Sequence, residues 1–311
     1  MKGDYIDNPH NITEISSYVT MKKEIIVAEI IGSQKCYFYD ACSFRRHANL
    51  DNVHAEYLLR YIKNQRGVVV ITRCILMELA SYSGLLKQEY IEYIKRISDF
   101  GIKVLIIYEE DLFSVMEVCF STNKAINNYL CWAVRIIKGP VSTITATLEK
   151  DKNVYNEVVK GEKIDNSGVY RRFFEAVREN KEAGDDLGEE VLAICLHILS
   201  HIPGEEDGKF CVITDDKGAA SKIDAMFKKT VNHYRGKTVG IFSTPKLVQV
   251  LYRENILRDS DHLKEILGEG AKGNIAVLGM LVYDIRGREI SMKRDELADL
   301  IMQPNGISIF F

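Results

Sequence analysis

Four separated segments of this chain carry carboxylates where an apolar run gives out. Asp40 closes KCYFY at 35–39, and Glu78 follows Thr72 by six residues. Asp185, Asp186, Glu189 and Glu190 open GDDLGEEVLAICLHILSHI, while Asp215 and Asp216 close KFCVITDD. A carboxylate at the end of an apolar strand is stripped of water, and neighbouring carboxylates repel unless a cation or proton lies among them. Hard oxygen donors without thiolate or imidazole favour Mg2+ or Mn2+. Each acid taken singly reads as a helix cap, since the macrodipole contributes only ~0.3–1 kcal/mol at an N-terminus. The set as a whole points to metal-assisted chemistry.

The helix beginning at 187 allows a ranking among its acids. At about 100° per residue, Leu187, Val191, Ile194, Cys195, Ile198 and Ile202 form the main apolar stripe. Asp186, Glu190 and His197 line one flank, and Glu189 points nearly opposite, which ranks Asp186 and Glu190 first. Leu192, Leu196 and Leu199 make a second apolar face, so the helix is expected to be buried almost all round.

Positioning these acids requires strands that alternate with helices. Strands are expected at 35–39, 68–71, 103–108, 209–216 and 238–245, each an apolar or β-branched run bounded by polar residues. Helices are expected at about 48–63, from ILMELASYSG, at 87–99 with Gly101 as cap, at LFSVMEVCF, at 123–138, at 187 onward and after 217 and 245. This alternation implies an α/β fold: a mostly parallel sheet of about five strands flanked by helices. Ligands in such sheets bind beyond the carboxyl ends of the strands, where the acids fall. Residues 1–34 read as an N-terminal extension and 35–257 as the main domain. A polar stretch at 147–168 reads as an insertion or loosely packed helical excursion. Residues 258–311 change rhythm, with helix HLKEILGE, strand candidates NIAVLGMLVYDI and ISIFF, and helix MKRDELADLI between them, which makes a small α+β appendage.

At the acidic segments the chain resembles the PIN-domain nucleases, a family related to flap endonucleases. The matching pieces are YFYDACSF, VVVITRCILMEL, DDLGEEVLAICLHIL and CVITDDK, in order over 35 to about 250. The resemblance implies a metal-dependent phosphodiesterase, an endoribonuclease hydrolysing RNA with one or two divalent ions. Asp40, Glu78 and Asp216 would then be metal ligands, with Asp215 the alternative to Asp216. D-L-G-E points to Glu189 as the third acid, against the helical-face argument for Asp186 or Glu190. Where the family often has Asn or Ser two residues after its first acid, this chain has Cys42, followed by Ser43.

Basic and hydroxyl residues near the acids are candidate substrate contacts: Arg45, Arg46, Ser43, Arg73, Thr214 and Lys217, with Arg171, Arg172 and Lys222 elsewhere. Arg and Lys at such places are more often plain solvated surface. RNA is the expected substrate, with DNA the alternative. A second reading is an inactive PIN-like module that acts through a protein or nucleic-acid partner, or a second copy, bound by the appendage.

Composition narrows the rest. With 311 residues, 46% hydrophobic and 27% charged, the chain should fold compactly rather than stay disordered. A net charge of −3, from 41 basic and 44 acidic residues, argues against coating nucleic acid by bulk charge. Seven cysteines without a C-x-x-C pair fit free thiols in a reducing compartment. No signal-peptide core and no apolar run near the ~20 residues of a membrane span occur, so a soluble cytoplasmic protein is expected. There is no G-x-G-x-x-G after the first strand and no P-loop, and D-A-C-S lacks the second Asp of haloacid-dehalogenase phosphatases. His197 and His201 have zinc-like i, i+4 spacing but no nearby Glu and no third ligand, and read as a helix-face pair.

Overall fold

Strands buried on both faces need apolar side chains at consecutive positions, and this chain supplies them. Tyr37, Tyr39, Val69, Ile71, Val104, Ile106, Cys211 and Ile213 point into one hydrophobic layer. Their neighbours Cys36, Phe38, Val68, Val70, Leu105, Ile107, Phe210 and Val212 point into the other. The computed structural model describes residues 6–81, 83–137, 143–182, 184–270 and 273–311. Residues 1–5 of the N-terminal extension and the last residue of the helix expected to reach 138 lie outside these.

Strands β1 (Val19–Thr20), β2 (Lys35–Tyr39), β3 (Gly67–Thr72), β4 (Val104–Ile107), β5 (Phe210–Ile213) and β6 (Gly240–Phe242) form one sheet. Their order is β1-β4-β3-β2-β5-β6 and every pairing is parallel, with Phe38 opposite both Val70 and Val212. The expected α/β architecture is therefore observed, with β1 as a sixth, short edge strand from the N-terminal extension.

Helices α1 (Lys23–Gly32), α2 (Ala41–Ala48), α3 (Asn52–Asn64), α4 (Arg73–Leu79), α5 (Gln88–Asp99), α6 (Leu112–Glu117), α7 (Asn123–Ile137) and α8 (Thr143–Lys150) flank the sheet. They are followed by α9 (Lys152–Tyr155), α10 (Val169–Glu179), α11 (Leu187–Leu199), α12 (Lys217–Lys229) and α13 (Thr244–Arg253). Helices α2, α3, α5 and α13 cover one face. Helices α1, α6, α7, α8, α10, α11 and α12 cover the other. Four of the turns from strand to helix reuse one device, a polar side chain that accepts the first free amides of the next helix. Asp40 caps α2, Thr72 caps α4, Asp216 caps α12 and Ser243 caps α13.

Several local expectations differ from the structure. The helix expected at about 48–63 is α3, which starts at Asn52 because Asp51 takes the His54 amide at 2.9 Å, while residue 48 ends the preceding α2. The stretch 147–168 is not loosely packed: Leu148, Val154 and Val158 are buried in the α11 layer. In the appendage, α14 (Ser260–Leu267) precedes β7 (Asn274–Leu281), β8 (Arg288–Lys293), α15 (Arg294–Met302) and β9 (Ile307–Ile309). These three strands form an antiparallel sheet ordered β8-β7-β9. Strand β8 takes the place of the expected helix start at Met292, because Ile290 and Met292 alternate inward. Leu263, Val277, Leu297 and Ile309 of the appendage share one apolar cluster with Leu247, Leu251 and the sheet, so the core runs unbroken past residue 258.

Candidate functional site

The strand order reverses between β2 and β5: the chain goes from β2 outward through β3 to β4, then returns to β5 on the other side. Parallel sheets open a crevice at such a reversal, outside the carboxyl ends of the two strands. Asp40 and Thr214–Asp216 stand there.

Asp40 is buried and held by three donors. Its Oδ1 accepts the Ala41 amide at 2.7 Å, and its Oδ2 accepts the Thr214 hydroxyl at 2.9 Å and the Cys42 thiol at 2.7 Å. Burial and the Asp40 charge push the Cys42 thiol up to about 12, so it stays a donor. Thr214 also accepts the Asp216 amide at 3.1 Å, which ties the two strand ends together. Asp216 spends one oxygen on the Gly218 and Ala219 amides, at 2.6 and 3.1 Å.

Glu189, from the first turn of α11, meets this group. Burial first, then the charges of Asp216, Asp40 and Asp186, raise its pKa to about 7, with Lys222 opposing. Its Oε2 is 3.6 Å from Lys222 Nζ, which also pairs with Asp186. Glu78 arrives from α4 across Gly188. A Cβ at 188 would collide with the Glu78 carboxylate, so the D-L-G-E glycine is what admits that side chain. Burial raises the Glu78 pKa, Lys181 lowers it, and Asp40 raises it further.

Glu190 serves elsewhere. Its oxygens accept the Thr143 and Ile144 amides at 3.1 and 2.8 Å, capping α8. Asp185 holds the turn before α11 through the Glu182 and Leu187 amides, at 2.7 and 3.1 Å. The helical-wheel ranking is therefore inverted: Glu189 faces Asp40 and Asp216, Glu190 is a cap, and Asp186 is half exposed on a lysine.

Asp215 is an anchor for the neighbouring strand end. It accepts the Thr244 amide and hydroxyl, both at 2.6 Å, and Arg46 at 3.3 Å. Burial would raise its pKa, yet Arg46, His47 and Thr244 hold it below the ordinary carboxylate range. Because the Thr244 hydroxyl donates to Asp215, it must accept from His47 Nε2 at 2.9 Å. Burial holds His47 down to about 4, so its neutral Nδ1 accepts from the Tyr39 hydroxyl at 3.0 Å. Tyr39 in turn accepts from Tyr93 at 3.0 Å. One ordered chain of donors thus joins α5, β2, α2, α13 and β5.

Of the expected substrate contacts, Ser43, Thr214 and Arg73 are buried. Thr214 is fully used between Asp40 and Asp216, and Arg73 lies over the Tyr108 ring at 4.1 Å, so none of the three faces solvent. Arg45 donates to the Glu78 carbonyl at 2.7 Å, Arg46 holds Asp215, and Lys217 reaches Glu289 of β8 at 2.6 Å. A cavity of 340 Å³ beside Glu78 is lined by Arg45, Lys87, Lys181, Tyr90 and Asp185. A second cavity, of 780 Å³, lies away from the crevice around Tyr108 and Arg178. There Arg178 is neutralised by Glu109, Glu110 and Asp7, so it reads as a structural ion cluster.

Lys181 is the residue that sequence reasoning missed. It is buried against Glu78 at 2.9 Å and pairs with Asp185, four residues along. Burial would lower its pKa, but Glu78 and Asp185 more than offset that and keep it charged. The i, i+4 spacing to Asp185 was the available signal.

Among the described residues no group of three His, Cys, Asp or Glu stands close enough to hold a metal ion as the side chains lie. The donor chemistry does fit one: Asp40, Glu189 and Asp216 offer only carboxylate oxygens, and burial, with the charges of Asp216 and Asp40 adding to it, raises the proton affinity of Glu189. Set against protein-family models, curated proteins and solved structures, the chain matches none. No described helix is long and apolar enough to cross a membrane.

Proposed function

We propose that the chain is a metal-dependent phosphodiesterase of the PIN-like kind, an endoribonuclease. The observation that carries this reading is the placing of Asp40, Glu189 and Asp216 at the reversal of strand order, where burial first and then the charges of Asp216 and Asp40 lift Glu189 to about 7. Asp40, Glu189 and Asp216 would hold Mg2+ or Mn2+, with Glu78 joining if Lys181 yields. The bound ion supplies Lewis acidity to the phosphodiester and acidity to a water. The protein's part is positioning. Ala41, Thr214 and Cys42 fix the Asp40 carboxylate, and Thr214 sets its spacing from Asp216. Glu189, raised to about 7, would have to be ionised to serve as a ligand, so a bound ion would favour its deprotonated form.

The test is cleavage of single-stranded RNA with Mn2+ or Mg2+. Asp40→Asn should lower the rate by about two orders of magnitude or more, and undiminished cleavage would remove Asp40 from the mechanism. One observation favours the inactive binding module: Lys181 and Lys222 already pair with Glu78, Asp186 and Glu189. Absence of a melting-temperature rise on adding Mn2+ would select that reading.

A further inference from the structure

The loop 282–287 joins β7 to β8 and carries at its tip the two most exposed large apolar side chains among the described residues. Tyr283 is 93% exposed and Ile285 100% exposed, with Val282 beside them. Asp284 fixes the loop's shape: it accepts the Leu281 amide at 2.9 Å and the Arg288 guanidinium at 3.2 Å. The Phe310 ring packs against Gly287, so a Cβ there would stand 2.7 Å from it. The tip is thus presented outward by a turn held at both ends, which reduces the ordering cost of binding.

The root of this hairpin is pinned to the crevice. Glu289, two residues past the loop, pairs with Lys217, the residue next to Asp216. Lys246, near the start of α13, donates to the Ile309 carbonyl, and Ile309 lies opposite Gly279 of β7. Tyr283 is six residues from Glu289, so it lies within about 20 Å of it. Arg286 at the tip is exposed and has no partner among the described residues.

We propose that this hairpin tip is a clamp for single-stranded RNA, with Tyr283 stacking on a base and Arg286 taking an adjoining phosphate. This inference rests on the phosphodiesterase reading. An acidic crevice repels a polyanion, and cations at its rim offset that repulsion. An aromatic face beside free guanidinium suits unpaired bases, whose stacking tolerates sequence. Even with Leu278 and Phe310 beside Val282, Tyr283 and Ile285, the exposed apolar patch is smaller than the about 800 Å² from each partner that a stable protein interface takes.

The test uses the full chain in EDTA, so that no strand is cut, with a short labelled oligouridylate followed by fluorescence anisotropy. Tyr283→Ala should weaken binding about tenfold, and Tyr283→Trp should preserve it. Tyr283 being exposed, both of its variants should melt as the parent does. Failure of the parent to bind, unchanged binding by Tyr283→Ala, or equal affinity for duplex overturns the clamp. So does a Tyr283→Ala change in oligomeric state by light scattering, which would make the tip a protein contact. Tyr283-dependent binding without cleavage in Mn2+ leaves the clamp standing and removes the phosphodiesterase. Asp40-dependent cleavage with Tyr283-independent binding does the reverse.

Discussion

Adjacent residues Glu189 and Glu190 divide two tasks that the sequence presents as one. Glu189 has a pKa near 7 in the fold against an ordinary value of 4.5. Folding therefore favours its protonated form. The stabilisation is complete below pH 4.5, is lost as pH rises through 7, and above that the ionised group repels Asp216 and Asp40. Glu189→Gln should raise the melting temperature of the metal-free protein at pH 8 by about 2 °C, after discounting for its partial exposure. The same change should abolish the Mn2+-induced shift, which differential scanning fluorimetry measures directly. Glu190→Gln should instead destabilise by about 1 kcal/mol at any metal concentration, because it weakens the α8 cap. Denaturant titration with and without Mn2+ separates the two.

At the scale of elements, strands and their order in sequence were legible because apolar runs bounded by polar residues have few other uses. The acids at strand ends were legible for the same reason: KCYFY must stop somewhere, and Asp40 is where it stops. Which acid of α11 faces the crevice was not legible from the helical wheel, although the D-L-G-E resemblance pointed to Glu189. The wheel assumes that the apolar stripe defines the buried side, and α11 is buried almost all round, so neighbours decide. Those neighbours are α8, which claims Glu190, and the ends of β2 and β5, beside which Glu189 lies. Strand β8 was hidden because REISMK is half charged and only its alternation, Ile290 then Met292, marks it. Gly188 makes the clearest element-scale prediction. Gly188→Ala should force α4 and α11 apart or expel Glu78, destabilising by about 1–3 kcal/mol as overpacking does. A guanidinium melt reads it, and an unchanged midpoint would mean that Glu78 has room to move.

For the whole molecule, a net charge of −3 says little until it is located. Carboxylates crowd one sheet edge, while lysines and arginines stand around them and on the hairpin. The molecule's response to acid is likewise a sum of opposed terms. Glu78 and Glu189 gain stability as pH falls, while His47, His197 and His201 are kept neutral chiefly by burial. His197 isolates one term, since both its ring nitrogens lack partners. Its folded pKa is depressed, so below pH 6.5 the unfolded chain takes a proton that the folded one refuses. Stability measured as a difference should shift in favour of His197→Phe by about 1 kcal/mol per pH unit between 6.5 and 5. A flat difference across that range would mean that the imidazole finds a partner or water.

The pairing of β2 with β5 also governs how the chain must come into being. Cys36 and Phe210, opposite each other, are separated by as many residues as Asp40 and Thr214, 174. At ribosomal speeds of about 5–20 residues per second, the β5 flank of β2 waits about 10–35 s for its partner. During that interval a strand that ends as the middle of the sheet, apolar on both faces, is an unpaired edge open to other chains. The segment that follows α10, closing with β5, thus ends the nascent molecule's exposure to aggregation in the same event that assembles its crevice.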